Sequence, residues 1–413
     1  MRLLITNIAK LVDIDHEHRE RVQGREMNSL ETIDNAWLLT EDERISAFGT
    51  MTEMPAESLQ ADTVIDAAGG MLLPSFCDSH THIVYAGSRE QEFVDKINGL
   101  SYEENARRGG GILNSADRLR AASEDELYNQ AMERVREVIG MGTGAIEIKS
   151  GYGLSTADEL KMLRVIRRIR ESAPVEVRAT FLGAHAVARE YIGRQSEYVD
   201  SVCREMIPAV AAEGLADFVD VFCDKGFFTV EETARILETG AKYGLRPKIH
   251  ADELAASGGT RIGVEYDALS VDHLERAGEA EIEILKGSAT SPTLLPGAAF
   301  FLGMPFPPAR AMIDAGLGVA LASDYNPGST PSGNMKFVVS LGCIRMKMTP
   351  AEAINAATLN GAYAMGISRD FGSVAVGKMA NFFITRPIPS VEFLPYAYTT
   401  PVISRVFLRG REY

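Results

Sequence analysis

Between residues 72 and 323 the chain alternates short apolar runs with amphipathic stretches in a regular beat. The apolar runs fall at 72–80, 143–149, 175–184, 216–223, 246–251, 266–273, 287–295 and 317–323, and read as strands. The stretches between them read as helices. In 157–169, the apolar residues, among them Leu160, Leu163, Ile166 and Ile169, recur at spacings of three and four. Thr156 is its expected cap, with Glu159 placed for a capping box, and Pro174 closes it. Eight strands alternating with helices predict an α/β fold, a (β/α)8 TIM-like barrel. An open doubly wound sheet would favour a glycine phosphate loop after the first strand, where His80-Thr81-His82 stands instead.

The ends carry a different pattern. Leu3-Leu-Ile-Thr6, Trp37-Leu-Leu-Thr40 and Arg44-Ile-Ser-Ala-Phe48 are short strands, and 19–35 reads as a long polar loop. A β pattern returns at 372–385 and 402–410, after 350–365, which reads as one closing helix. The expectation is a small β-sandwich domain assembled from residues 1–70 and 367–413, with the barrel at 71–366.

Composition narrows the functional classes. The 413 residues leave room for one large domain and a smaller one, and 46% hydrophobic content is ordinary for a globular chain. A net charge of −15 argues against a nucleic-acid surface, which needs clustered Lys and Arg. It still permits a small anionic substrate, which needs only a local cation or two. The first ten residues read as a strand and not a signal peptide, and no apolar run is long enough to span a bilayer. Cys77, Cys203, Cys223 and Cys343 are scattered, with no Cys-x-x-Cys pair. They read as buried, reduced thiols of a cytoplasmic protein without a structural zinc site. The expected partner is a small anionic molecule, with neither nucleic acid nor membrane. The oligomeric state stays open, a homodimer included.

Of the seven histidines, His16 and His18 sit among charged residues in a solvated loop and receive no function. The other five fall at expected strand ends. His80 and His82 close strand one, two residues apart and so on one face. His185 follows strand three, His250 ends strand five, His273 ends strand six, and Asp324 follows strand eight. In a barrel these ends gather on one rim, where active sites form. A lone histidine on an apolar strand is usually a satisfied core residue, but five on one rim with an aspartate are not explained that way. His80, His82, His250 and Asp324 are the expected ligands of one Zn(II) or Fe ion per chain. Such an ion activates water near neutral pH, so the expected chemistry is hydrolysis or hydrolytic deamination at a carbon bonded to nitrogen.

These features resemble the amidohydrolase superfamily, whose fold is a (β/α)8 barrel with a small β domain built from both termini. Tyr85-Ala-Gly-Ser-Arg89-Glu90, Gly109-Gly-Gly-Ile112, Ile148-Lys-Ser-Gly-Tyr152-Gly-Leu154, Phe181-Leu-Gly-Ala-His185, Asp220-Val-Phe-Cys-Asp-Lys-Gly226 and Ala322-Ser-Asp324-Tyr-Asn326-Pro-Gly328-Ser329 resemble one branch in order and spacing. That branch opens the ring amide of an imidazolone bearing a propionate. The resemblance implies that Arg89, Tyr152, His185, Glu253, Asn326, Gly328 and Ser329 line the substrate site.

Read by their chemistry, Glu253, His273 and Asp324 are the catalytic candidates. Glu253, just beyond His250, is placed to carry a proton from water to the leaving nitrogen; the structural alternative is a carboxylate at a helix N-terminus. His273 would contact the attacking water or the oxyanion, whereas Asp272 should face the other way on a regular strand. Arg89 would clamp a carboxylate through two hydrogen bonds, unless it pairs with Glu90 or Glu92 at the surface. Tyr152 would be brought inward by Gly151 and Gly153, or would pack on the surface. The glycines at 109–111 lack the Lys-Ser/Thr of a P-loop and read as a loop over the rim. Lys225, in a polar turn beyond strand four, reads as solvated and not as a carboxylated bridge between two metals. Two rivals remain: an amidohydrolase-type deaminase of a nucleobase-like heterocycle, and a metal-free barrel scaffold.

Overall fold

A computed structural model describes residues 1–99 and 110–413. The N-terminal strands are β1 (Arg2–Val12), β2 (Thr32–Glu41), β3 (Arg44–Thr50), β4 (Thr63–Asp66) and β5 (Met71–Pro74). Then follow β6 (Phe76–Thr81), β7 (Thr143–Lys149), β8 (Glu176–Ala184), β9 (Phe218–Cys223), β10 (Arg246–Ala251), β11 (Ser270–His273), β12 (Ser291–Leu294) and β13 (Ala320–Leu321). The chain ends with β14 (Phe382–Thr385), β15 (Ile403–Leu408) and β16 (Arg411–Glu412).

β6 to β13 pair in sequence order, all parallel, as a (β/α)8 barrel requires. The ring closes just beyond β13. There Asp324 N–H donates to His80 C=O (3.0 Å) and His82 N–H to Tyr325 C=O (2.9 Å). The terminal strands form a separate mixed sheet in the order β16-β15-β14-β5-β1-β2-β3, with β4 also on β1. β5 lies parallel to β1 and antiparallel to β14, so the two ends of the chain meet on either side of it.

The run 72–80 is therefore two strands. At Ser75 the chain leaves one sheet for the other: Ser75 N–H donates to Asn381 C=O (3.1 Å), and Phe76 N–H to Gly142 C=O (2.9 Å). An apolar run carries no mark of such a transfer, because both sheets bury it. The polar stretch 19–35 also differs, since β2 starts at Thr32. The closing helix is two helices, Pro350–Ala357 and Leu359–Ala364, broken at Thr358 (φ −118°, ψ −92°).

Outer helices cover the barrel with the periodicity the sequence predicts. Glu124–Gly140 buries Leu127, Ala131, Val135, Val138 and Ile139 and starts at a Ser123–Glu126 capping box. Each fully buried Val or Leu stabilises by roughly 1.5–3 kcal/mol and the cap by about 1 kcal/mol. In Thr156–Ser172 the cap is Ser155, whose hydroxyl accepts from Asp158 N–H at 3.2 Å. Glu159 is thereby freed from capping and turns inward, fully buried. The four cysteines are free, Cys77 and Cys223 buried, Cys203 and Cys343 partly exposed. Among the described residues no helix is long and apolar enough to cross a membrane.

Candidate active site

The side chains from the strand ends converge. Nε2 of His82, one residue past β6, lies 3.2 Å from His80 Nε2 and 3.3 Å from His250 Nε2. Oδ1 of Asp324, in the turn after β13, lies 3.6 Å from Nε2 of both His80 and His82. All four side chains are buried. His185 joins His82 and His250 in one group of ligand atoms within 4.8 Å of one another, and His273 joins His80 and His250 in another.

The donor set fits a divalent cation. Asp272 Oδ2 lies 2.7 Å from His80 Nδ1; a carboxylate only accepts, so Nδ1 carries the proton and Nε2 a lone pair. His250 Nδ1 lies 3.0 Å from Asp220 Oδ2, at ion-pair distance but off the line of a hydrogen bond. Burial, and then neighbouring Lys149 and the other imidazoles, hold His80 well below the usual histidine range. Burial, with His185 and His250, does the same to His82. Neutral imidazoles turned to one centre beside a carboxylate suit zinc or iron, not magnesium.

Backbone conformation builds this rim. Asp252, His273, Leu274 and Asp324 all adopt positive φ (54°, 86°, 68° and 56°). For non-glycine residues this costs about 1–3 kcal/mol each and persists only where the surroundings hold it. Ser329 Oγ donates to Asp324 Oδ2 (3.0 Å), and Asn326 Nδ2 to Asp324 C=O (2.7 Å). The turn at His273 also corrects the expectation for Asp272. Strand alternation fails there, so Asp272 reaches His80 while His273 stays on the rim beside Glu253.

His273 Nε2 lies 3.6 Å from Glu253 Oε2 and its Nδ1 3.4 Å from Glu275 Oε1. Burial pushes the Glu253 carboxyl up to about 8 against the pull of His273, with Glu275 and Asp324 adding to the rise. Burial opposes the charge on His273 but is outweighed by Glu253 and Glu275, which hold it well above its usual value. The pair therefore holds a proton at neutral pH. Asp224 fixes the Glu253 turn by accepting from the N–H groups of Glu253 (2.8 Å), Leu254 (2.8 Å) and Ala255 (3.1 Å). The following helix starts at Gly259, so Glu253 does not cap it.

Arg89, Tyr152, His185, Asn326, Gly328 and Ser329 line one pocket with Glu253, His273 and Asp324. Ile112, Phe222 and Leu302 supply apolar walls that the sequence reading missed. Arg89 does pair with Glu92, through Nε (2.9 Å) and Nη2 (2.5 Å). That pair is not a surface pair, since the side chains are only 8% and 12% exposed. Tyr152 is buried, not packed on the surface. Its loop is held by Glu159, which accepts from Gly151 N–H (3.1 Å), Gly153 N–H (2.8 Å) and Leu154 N–H (2.8 Å). His185 donates Nδ1–H to Gly151 C=O (3.0 Å). Burial, with nearby His250, lowers it to about 3, so its neutral ring offers Nε2 as an acceptor and not as a donor. Gly111 precedes the helix Ile112–Ala121, and Gly109 lies outside the described residues. Lys225 is exposed, as a solvated lysine should be. His16 and His18 are exposed and far from the rim in sequence.

Residues 71–412 match the amidohydrolase family. With the barrel and the rim histidines already placed, the chain belongs to that family. It is 56% identical over 411 residues to an imidazolonepropionase of Christiangramia forsetii and 53% identical to one of Flavobacterium psychrophilum, each match covering 100% of both chains. Among solved structures, a triazine hydrolase variant matches with a TM-score of 0.76 at 16% identity, over 100% of this chain and 94% of its own. An atrazine chlorohydrolase of Arthrobacter aurescens complexed with zinc matches with a TM-score of 0.73 at 16% identity, over 99% and 94%. At that identity the structural matches establish the fold alone.

Proposed function

We propose that the protein hydrolyses the ring amide C–N bond of 4-imidazolone-5-propanoate to N-formimidoyl-L-glutamate, a step of L-histidine degradation. The observation that carries this reading is full-length similarity to imidazolonepropionases in a chain whose rim joins a metal-ligand set, a proton-carrying carboxyl and a guanidinium in one pocket. One Zn(II) or Fe ion per chain, held by His80, His82, His250 and Asp324, supplies an activated water, whose pKa such ions lower from about 15.7 to about 7. Arg89 holds the propionate carboxylate, and the Tyr152 hydroxyl adds a donor. His185 Nε2 accepts a ring N–H. Glu253 takes the proton that water gives up and delivers it to the leaving ring nitrogen, its carboxylate standing beside His273 in the pocket that holds the ligand set. His273, charged by its carboxylate neighbours, donates to the oxygen that becomes negative. The cytoplasm is the proposed compartment, in keeping with four free thiols.

The test is an ultraviolet assay of imidazolone propionate consumption, with the product identified by mass spectrometry. N-formimidoyl-L-glutamate is expected. Ammonia release from a nucleobase-like heterocycle, with the imidazolone untouched, would replace this reading by the deaminase one.

A further inference from the structure

The floor beneath the imidazoles is ionic. Lys149, the last residue of β7, is fully buried. Its Nζ lies 2.6 Å from Glu147 Oε1, 2.8 Å from Asp220 Oδ2 and 3.5 Å from Asp272 Oδ2. Asp220 and Asp272 are the carboxylates that stand at Nδ1 of His250 and His80. One ammonium thus bridges the two acidic groups that set the orientation of two ligand imidazoles from different strands. Lys248 is a second buried ammonium, but it does not bridge them. It pairs with Glu147, lies 4.0 Å from Asp272, and donates to Ser79 C=O and Ala364 C=O (both 3.1 Å).

Stability does not explain such a floor. Each buried ion costs several kcal/mol in desolvation, and well-packed apolar residues often replace buried ion pairs at no loss. What the ammonium does here, and an apolar residue would not, is to hold two carboxylates in place at Nδ1 of two imidazoles. We infer that Lys149 is a positioning residue for the metal centre: its ammonium fixes Asp272 as the acceptor at Nδ1 of His80 and Asp220 beside Nδ1 of His250, which keeps both rings turned with Nε2 on the common centre. This inference rests on the metal-dependent reading of the site.

The test measures zinc affinity by chelator competition in the parent, in Lys149→Met, in the charge-paired double variant K149M/E147Q, and in Lys248→Met. Circular dichroism and melting temperature report folding separately. Outer-shell partners of metal ligands are worth about tenfold to a hundredfold in affinity. A loss on that scale is expected in Lys149→Met and in the double variant, with a clearly smaller loss in Lys248→Met. Parent-like zinc affinity in either folded Lys149 variant would overturn the inference. So would equal losses in the Lys149 and Lys248 variants, or the failure of both Lys149 variants to fold, since each would make the ammonium a general part of the core. A parent that retains no zinc or iron would overturn the metal reading itself, before any variant is compared.

Discussion

Gly328 leaves no room between its Cα and the guanidinium of Arg89: a Cβ there would lie 2.2 Å from Nη1 and 2.7 Å from Cζ. The obstacle is the end of a flexible side chain, so Gly328→Ala should fold normally and push the guanidinium off its place. Arg89→Met removes it outright. Both variants should lower kcat/KM for the propionate substrate by at least roughly tenfold, about 1.4 kcal/mol. Combining them should add little to Arg89→Met alone, because the two changes remove one interaction. An analogue without the carboxylate should be a poor substrate for the parent and nearly indifferent to either change. Equal losses on both substrates would assign Arg89 to holding the loop through Glu92.

Glu253→Gln keeps the shape of the side chain and removes its capacity to carry a proton. Turnover should fall on the order of a hundredfold or more, the usual scale for a lost general acid or base. Metal content should stay at the parent level, since Glu253 is outside the ligand set. Near-normal turnover would pass the role to Asp324 or His273.

The barrel and its rim were readable because they rest on local periodicity. Strand period, helix period and the spacing of His80 and His82 each need only a few neighbouring residues. What escaped the sequence depends on pairs distant along the chain. Asp272 stands next to His273 but serves His80, and Lys149 joins Asp220 to Asp272 across three strands. Glu159 looked like half of a capping box, yet a shift of the cap by one residue to Ser155 turned it toward the Tyr152 loop. The split of 72–80 at Ser75 was equally hidden, because two buried strands in different sheets give one unbroken apolar run.

Removing the metal should leave a folded but inactive protein of lower melting temperature. A ligand that binds only the native state stabilises it by about 2.7 kcal/mol at a hundred times its Kd. Elemental analysis should find one ion per chain, and the melting temperature should recover when zinc or ferrous iron is returned to the stripped protein. Two tightly bound ions, both required for turnover, would reopen the bridging role for Lys225 despite its exposure in the turn after β9.

Asp13 makes stability depend on pH at a place remote from the chemistry. It is buried at the end of β1, with φ +63°; its Oδ2 accepts from Thr358 Oγ1 (3.2 Å) and its C=O from Val374 N–H (2.9 Å). Burial pushes its carboxyl from 3.8 up to about 7, against the Thr358 hydrogen bond and Lys378. The folded state therefore keeps a proton that the unfolded chain gives up near pH 4. Between those values the native state binds more protons, so the stability this group contributes at low pH falls as pH rises, and is gone above about 7. Asp13→Asn fixes the uncharged form, and asparagine tolerates positive φ. The variant should match the parent near pH 4 and exceed it by on the order of 2–4 kcal/mol at pH 8, from about three units at 1.36 kcal/mol each. Part of the slope should survive in the variant, since burial also raises Asp78 to about 7. Urea unfolding of both proteins at pH 5 and pH 8 decides it: a stability difference that does not widen with pH would mean that Asp13 is already ionised in the fold.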